Sequence, residues 1–391
     1  MIEESRKTSV LCVADYYLPG FKGGGPIRTI ANMIELLAAD VEFAVVTRDR
    51  DLGSSAPYHS AKIGKWQQVG EGLVYYADPR SFGIRAVLNG CKNRRADIIY
   101  LNSFFGFRSS ISIYLAWRFQ KSAAKLLIAP RGEFSLGALS VKYIKKLFFL
   151  RVSRILGLYR DVWWHASTAR EAEDIVRLFP FARERIYIAT DPVSIPPDKR
   201  QLWPRKIPGE LRIAFISRIS RMKNLDGLLT ILAGVNRKVR LAIYGPLEDE
   251  AYWKHCKKII QSLPSTVSVE VGNHLDPSDV SDTFAKYDLF AFPTHGENFG
   301  HVIFESLRAG TPVLISDQTP WQIDSSGAVT VVPLGSVDKW RAEIESAADR
   351  NEVQQREVRR AAIDYAENYM TSDQTRLENL KMFWEVSGRK R

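Results

Sequence analysis

Cysteine is nearly absent from this chain: Cys12, Cys91 and Cys256 are the only three in 391 residues. Three scattered thiols build neither a disulfide framework nor a zinc site. Long apolar runs are missing too. Stretches such as KLLIAP and DLFAFP fall well short of the ~18 residues that a membrane-spanning helix requires. The apolar stretch within MIEESRKTSVLCVADYY is too short for a signal-peptide core. No short-period repeat, low-complexity tract, helix-turn-helix or aromatic RNA-binding signature is visible. A soluble, intracellular protein without a nucleic-acid partner is the expectation.

What is present is a globular composition, 45% hydrophobic and 25% charged, in a length that suits two domains of ~150–200 residues. The charge is uneven. Lys and Arg number 55 against 44 acids, a net +11, and residues 1–200 hold 30 basic and 19 acidic residues against 25 and 25 in the remainder. A first half that carries the whole imbalance suggests that one domain faces a polyanion or an anionic lipid surface; the plainer alternative is solubilising charge.

Short apolar runs alternate with amphipathic stretches. SVLCVADYY, VEFAVVTRD, ADIIYLNS, KLLIAPRGE, DVWWHAS and ERIYIAT read as buried strands, with helical stretches PIRTIANMIELLAAD, GIRAVLNGCKNRRA, SSISIYLAWRFQKS and TAREAEDIVRLF among them. Continuous apolar strands alternating with helices mean a parallel sheet covered on both faces. The pattern breaks at DPVSIPPDKRQLWPRKIPGE, with five prolines in twenty residues, which reads as a linker. It restarts with LRIAFIS, VRLAIYG, VSVEVG, DLFAFPT, TPVLISD and AVTVVP, and only helical patterns follow Asn351. The expected organisation is a Rossmann-like domain over 1–195, a linker over 196–210, a second Rossmann-like domain over 211–360, and a helical tail over 361–391.

The densest chemistry lies in DLFAFPTHGENFGHVIFESLRAGTPVLISD, residues 288–317. A strand runs into a loop holding Gly296, Glu297, Asn298, Phe299 and Gly300, and a helix from about His301 carries Glu305. A helix N-terminus beside glycines offers unpaired N–H groups to a phosphate. Glu297 can accept from sugar hydroxyls, and Glu305 can face the same cleft from lower down; the plain reading is a capping carboxylate and a solvated glutamate. At the head of the same domain, AFISRISRMKNLDGLL places Arg218 and Lys223 on the loop after the first strand. A cation pair there binds a diphosphate and stabilises the charge that develops on it, unless these are two exposed basic residues on a connection.

With these residues in view, the chain resembles glycosyltransferase family 4 (glycosyl transferases group 1), retaining nucleotide-sugar enzymes of the GT-B fold. Glu297 … Glu305 matches the family's glutamate–seven residues–glutamate signature, Ala309, Gly310, Thr311, Pro312 and Val313 its A-G-x-P-V turn, and Arg218, Lys223 and Asn224 its basic loop. The resemblance implies two doubly wound parallel-sheet α/β domains facing a cleft, with C-terminal helices crossing back to the first. It implies that Glu297 lies by the donor sugar, that the backbone of Asn298, Phe299 and Gly300 meets sugar and diphosphate, and that Glu305 binds the ribose. Asn298 stands where many members have glycine, a substitution an αL-prone residue tolerates. Gly245, and Gly272, Asn273 and His274 in VGNHL, fall on loops that hold the nucleotide. Gly24 and Gly25, in FKGGGPIRTI, match a glycine pair that approaches the donor phosphates, with Arg28 one helical turn on.

Arg131, in APRGE, replaces a histidine that many members aim at the donor sugar; with Glu133 and Arg28 it is assigned to the acceptor, the alternative being a salt-bridged structural pair. His165 reads as a core histidine, and Glu173 as helix support. Asp49 and Asp51 mimic a D-x-D metal motif, but Arg48 and Arg50 flank them, so no metal and no cofactor is expected. Residues 138–160, ALSVKYIKKLFFLRVSRILGLYR, carry six cations and no acid. Val141, Ile144, Leu147, Phe148, Ile155 and Leu158 recur at helical spacing, as in a helix lying on an anionic bilayer or one packed in the core with a basic edge. The implied function is transfer of a sugar from a nucleoside diphosphate donor to a saccharide or lipid-linked saccharide, in cell-surface polysaccharide synthesis, at the cytoplasmic face of the membrane. A nucleotide-sugar 2-epimerase, a basic nucleic-acid- or membrane-binding protein and an inactive scaffold are the rivals.

Overall fold

The computed structural model describes residues 6–91, 94–120, 122–140, 143–193, 202–370 and 373–389. Two compact units emerge: Met1–Ser194 with Ser372–Arg391, and Ile195–Thr371. Part of the expected linker, residues 196–201, lies outside the described residues.

In the first unit the chain runs through β1 (Thr8–Val13), α1 (Gly25–Leu37), β2 (Val41–Arg48), β3 (Trp66–Val69), β4 (Gly72–Ala77), α2 (Ile84–Cys91) and β5 (Ile98–Leu101). It continues through α3 (Ser112–Gln120), β6 (Lys125–Ile128), α4 (Leu136–Ser140), α5 (Tyr143–Ile155), β7 (Trp163–Ala166), α6 (Ala169–Leu178) and β8 (Ile186–Ile188). The eight strands lie in the order β3-β4-β2-β1-β5-β6-β7-β8. All neighbours are parallel except the β3–β4 hairpin. Because side chains alternate across a strand, Val10 and Cys12 enter one apolar layer with Ile30, Met33 and Ile34 of α1. Leu11 and Val13 enter the other, with Ala86, Val87, Ile113 and Tyr114 of α2 and α3.

The second unit contains β9 (Glu210–Ile216), α7 (Leu225–Leu232), β10 (Lys238–Tyr244), α8 (Glu250–Gln261), β11 (Val267–Val271), α9 (Val280–Phe284) and β12 (Leu289–Phe292). After these come α10 (His301–Arg308), β13 (Val313–Ser316), β14 (Val329–Val332), α11 (Val337–Asp349) and α12 (Glu352–Met370). Its six strands run in the order β11-β10-β9-β12-β13-β14, all parallel. The final helix, α13 (Asp373–Ser387), belongs to the first unit, where Leu380, Met382, Phe383 and Val386 close the apolar layer over β1 and β5. Among the described residues no helix is long and apolar enough to cross a membrane.

Three expectations are corrected. The tail begins at 372 rather than 361, because Tyr365 and Tyr369 near the end of α12 pack against Trp321 of the second unit. The hairpin β3–β4, absent from the strand assignment, turns at Gly70, whose φ of 56° suits glycine; edge strand β3, WQQV, has no continuous apolar run, whereas β4, inside the sheet, carries the run LVYYA. In the basic stretch 138–160, α5 ends at Ile155, so Leu158 lies beyond the helix expected to hold it, and Val141 and Lys142 fall outside the described residues.

The second unit is closed by a buried ionic knot. Asp288 accepts from the Arg212 backbone N–H at 3.0 Å and from its Nε at 2.9 Å, and Arg359 approaches to 3.5 Å. Arg359 is buried beneath Trp203, its Nη2 donating to the Tyr287 carbonyl at 2.5 Å and its Nη1 to that of Gly310 at 3.2 Å. Burial lowers its pKa to about 10, and Asp288 opposes the shift, so it remains a cation. Trp203 Nε1 donates to the Ala309 carbonyl. The A-G-x-P-V turn is thus a structural clasp, its carbonyls occupied from below. Asp288→Ala strands Arg359 without its carboxylate. A loss of roughly 3–5 kcal/mol in unfolding free energy is expected, read from the urea midpoint; an unchanged midpoint would contradict the role given to the knot.

Candidate functional site

In the second unit strand order reverses between β9 and β12: β10 and β11 lie on one side, β13 and β14 on the other. The helix following β9, α7, packs with α8 and α11, whereas α10, following β12, packs with α9 and α12. Loops that diverge in this way from neighbouring strands open a crevice beyond their carboxyl ends, where doubly wound sheets bind ligands. Lys223 lies on the first of these loops and Glu297 on the second.

The loops are stitched together. A short 3-10 turn, Arg221–Lys223, ends at Asn224, whose φ of 57° and ψ of 45° place it in the left-handed region. The Asn224 amide donates to the Pro293 carbonyl at 2.8 Å, while the His295 N–H (2.8 Å) and the Thr294 hydroxyl (3.1 Å) both donate to the Met222 carbonyl. Held this way, Lys223 Nζ forms an ion pair with Glu297 Oε1. Their side chains are only 10% and 13% exposed, so each charge depends on the other for compensation. Arg218 is less enclosed and meets a different carboxylate, Glu248, at 3.2 Å, with 38% and 45% exposure. A pair as open as this is worth at most about 1 kcal/mol, and its guanidinium is readily diverted to a ligand.

Beyond Glu297, the Gly300 φ of 85° turns the chain into α10, where a Cβ would come within 2.9 Å of Ile303. Among the described residues the backbone N–H groups of Asn298, Phe299 and Gly300 donate to no protein acceptor. The Phe299 carbonyl is occupied by Trp321 Nε1 at 2.6 Å, and its ring packs on Trp321 and Tyr369. Phe299 therefore anchors the loop through its side chain and presents only its N–H. Glu305 is half-buried on α10. Gly245, with φ 138°, passes so close to β9 that a Cβ would meet the Ser217 carbonyl at 1.9 Å. Gly272 packs against the Tyr244 ring, and Asn273 and His274 are exposed beyond it.

In the first unit Gly24 (φ 76°, ψ −143°) is the N-cap of α1, Pro26 follows in its first turn, and Arg28 is half-buried one turn along. Arg131 and Glu133 are not on the surface that an acceptor role calls for. Arg131, 5% exposed, donates from Nη1 to Asp191 at 2.5 Å, from Nη2 to the Tyr100 hydroxyl at 2.6 Å, and from Nε to Asn102 at 3.2 Å. Glu133 accepts from the backbone N–H groups of Phe104 (2.7 Å) and Phe105 (3.0 Å) and from the Ser103 hydroxyl (2.8 Å). Burial raises its pKa while these bonds draw it back. Both are interior members of separate networks, and they do not pair with each other.

His165 is a core histidine. Its Nε2 lies 2.7 Å from the Ala189 carbonyl and its Nδ1 2.5 Å from the Tyr100 hydroxyl. A carbonyl only accepts, so Nε2 carries the proton and Nδ1 accepts from Tyr100. Burial first, and the nearby Arg131 second, push its pKa down to about 3. The buried acid of α6 is Glu171 rather than Glu173. It accepts from Gly132 N at 2.7 Å and Ser167 N at 2.8 Å, beside the Thr168 N-cap; the T-x-x-E capping pattern was its sequence signal. Asp49 is bound by Arg50 at 2.7 Å, and Asp51 accepts from Phe21 N, Lys22 N and Leu52 N. Among the described residues no group of three or more His, Cys, Asp or Glu gathers as a metal site.

Comparison with known proteins bears on the family and the fold. Residues 199–368 match the family model described as Glycosyl transferases group 1. The chain is 28% identical to D-inositol 3-phosphate glycosyltransferase of Segniliparus rotundus over 36% of this chain and 32% of that protein. It is 32% identical to alpha-monoglucosyldiacylglycerol synthase of Streptococcus pneumoniae over 27% and 24%. The chain thus spans about a third or less of these relatives' length. In fold it resembles sucrose-phosphate synthase from Thermosynechococcus elongatus, with a TM-score of 0.70 at 13% identity over 98% of this chain and 100% of that one. It also resembles Anabaena HepE, solved in complex with UDP and glucose, with a TM-score of 0.68 at 14% identity over 97% and 100%. At such identities the likeness is one of fold: two parallel-sheet α/β domains of the GT-B type.

The buried imidazole sets a pH dependence. Its folded pKa of about 3 lies below the ~6.5 of an exposed histidine, so between these values the unfolded chain binds the extra proton. Stability is therefore lost as pH falls from about 6.5 toward 3. His165→Gln keeps an acceptor and a donor without titrating, and should flatten the fall in urea midpoint between pH 6.5 and 4. The raised Glu133 and Glu171 carboxyls act with the opposite sign and remain in both proteins. Parallel pH profiles would refute this assignment.

Proposed function

Because residues 199–368 belong to the glycosyl transferases group 1 family, we propose that the chain moves a sugar from a nucleoside diphosphate donor to an acceptor hydroxyl with retention of configuration. The carrying observation is the enclosed Lys223–Glu297 pair on stitched loops where the strand order of the second unit reverses. The donor supplies what each partner lacks alone. Its diphosphate takes the ammonium and its sugar hydroxyls donate to the carboxylate, so each group keeps a hydrogen-bond partner when the pair opens. Arg218 leaves Glu248 for the phosphates, and the open N–H groups of Asn298, Phe299 and Gly300 face the same anion.

In this reading Glu305 holds the ribose, and Gly245, Gly272, Asn273 and His274 line the nucleotide. Cations and N–H dipoles stabilise the departing diphosphate, and that phosphate takes the acceptor proton, so no metal or cofactor enters. The ties on Asp49 and Asp51 support the metal-free reading, and nothing in the comparisons supports the 2-epimerase.

A lipid-linked acceptor in cell-surface polysaccharide synthesis is the finer proposal, and α5 favours it. Ile144 (81% exposed), Phe148 (71%) and Ile155 (82%) form an uncovered apolar stripe, with Lys145, Arg151 and Arg154 exposed on the same helix. A basic amphipathic helix with its apolar face in solvent suits an anionic bilayer at the inner face of the membrane.

Lys223→Ala and Arg218→Ala are each expected to lower turnover by roughly 10²–10³-fold, judged from the loss of single charge-stabilising donors. A thermal-shift panel of UDP-, GDP- and ADP-sugars should find a donor, a ligand at 100 times its Kd adding about 2.7 kcal/mol. Silence across the panel would defeat the transferase reading, whereas normal turnover in both variants would remove the roles given to Lys223 and Arg218. Flotation with phosphatidylglycerol vesicles should fall with salt and vanish in Ile144→Ser/Phe148→Ser; indifference to lipid charge would remove the membrane proposal alone.

A further inference from the structure

The first unit repeats the topological feature that frames Lys223 and Glu297. Its strand order reverses between β1 and β5. The loop after β1 leads to α1 in one apolar layer, and the loop after β5 leads to α3 in the other, opening a crevice of its own. Arg131 and Glu133 sit beneath it with every strong bond spent inside. A different set of side chains spans it.

Asp15, on the β1 loop, accepts from Arg48 Nη2 at 2.8 Å and Nε at 3.2 Å through Oδ1, and from the Ser109 hydroxyl at 2.5 Å through Oδ2. Arg48, at the end of β2, lies with its guanidinium 5.6 Å from the Tyr16 ring centre and 4.9 Å from that of Phe82. Ser109 belongs to a π-helical turn, Phe107–Ile111, directly beyond β5, a rare conformation that recurs at functional sites. Gly106 makes the closure possible: a Cβ there would stand 2.1 Å from Ser109 Oγ and 3.2 Å from the Asp15 carboxylate. Phe107, on the same turn, is 68% exposed.

We propose that Asp15, Arg48 and Phe107 form a subsite for a neutral sugar ring of the acceptor. The choice of a sugar rests on the transferase reading above. The chemistry supports it in three ways. An ion pair has no net charge to attract an anion, and Asp15 repels phosphate, so the cluster fits an uncharged ligand. Asp15 retains lone pairs, and Arg48 Nη1 is uncommitted among the described residues; side by side they offer an acceptor and a donor to adjacent hydroxyls. Stacking between two rings fixes the guanidinium plane, so little side-chain entropy is lost on binding. Phe107 adds an exposed aromatic face for the apolar C–H side of a pyranose.

Saturation-transfer NMR on the full chain, with methyl glycosides of glucose, galactose, mannose, rhamnose and fucose as probes, tests this. Wild type should transfer saturation to the ring protons of at least one glycoside. Phe107→Ala and Arg48→Ala should each weaken that glycoside by about tenfold or more in Kd, some 1.4 kcal/mol. Phe107→Ala removes only an exposed ring, so its melting temperature should match wild type and keep the test valid if Arg48→Ala misfolds. Lys223→Ala should keep the glycoside signal while losing UDP, GDP or ADP. No saturation in wild type, or equal binding in Phe107→Ala, overturns the subsite. Intact nucleotide binding in Lys223→Ala would instead count against the donor assignment and leave the subsite standing.

Discussion

Everything of chemical interest in this chain depends on how two loops are held where a parallel sheet changes direction. In the second unit the Met222 carbonyl receives the His295 amide and the Thr294 hydroxyl, and Asn224 reaches across to Pro293. Without these bonds the 3-10 turn and the loop after β12 would move independently, and the Lys223–Glu297 pair would pay the full entropy of two free side chains. With them, an ammonium and a carboxylate are presented together before any ligand arrives. Preorganised charge of this kind is among the largest levers a site has for stabilising charge that develops on a ligand.

The same sequence also shows how cations are spent on architecture. Arg359 and Lys206 are buried and Arg131 exposes only 5% of its side chain, yet each is surrounded by acceptors. Lys206 Nζ donates to the carbonyls of Ile207, Glu210 and Ala348. A buried cation survives only when its donors are satisfied, which is why these side chains point at carbonyl clusters. The cations proposed to meet substrate, Lys223, Arg218 and Arg48, differ in bonding to a carboxylate without a further set of neutral acceptors, and in having some solvent access.

Much of this was legible in the residues. Uninterrupted apolar runs such as Leu289–Phe292 and Val313–Ser316 are buried along their whole length, and runs of that kind have few alternatives to a covered parallel strand. The motif that places Glu297 and Glu305 on a loop and its helix is similarly local, so spacing alone located it. Partnership was not legible. Nothing in APRGE reveals that Arg131 would find Asp191 sixty positions away, or that Glu133 would turn back to Phe104 and Phe105. Nor does helical periodicity reveal which face is covered: Ile144, Phe148 and Ile155 recur as core residues do, yet lie in solvent. Edge strand β3 gives no signal because WQQV holds no continuous apolar run, whereas LVYYA of β4 is an apolar run like those of the other inner strands. Asp15 and Arg48 gave no signal, since a carboxylate and a guanidinium thirty-three residues apart become a pair only through the order of the strands.

The return of α13 to the first unit has a consequence for biogenesis. The layer over β1 and β5 is unfinished until Leu380, Met382, Phe383 and Val386 arrive, and the whole of the second unit is translated in between. At ~5–20 residues per second a ribosome needs on the order of tens of seconds to cover that interval. During it, the earlier half of the polypeptide carries an open greasy seam, whereas the later half is contiguous and can complete itself first. Nascent chains stalled before codon 372 should thus be the species that chaperones hold longest.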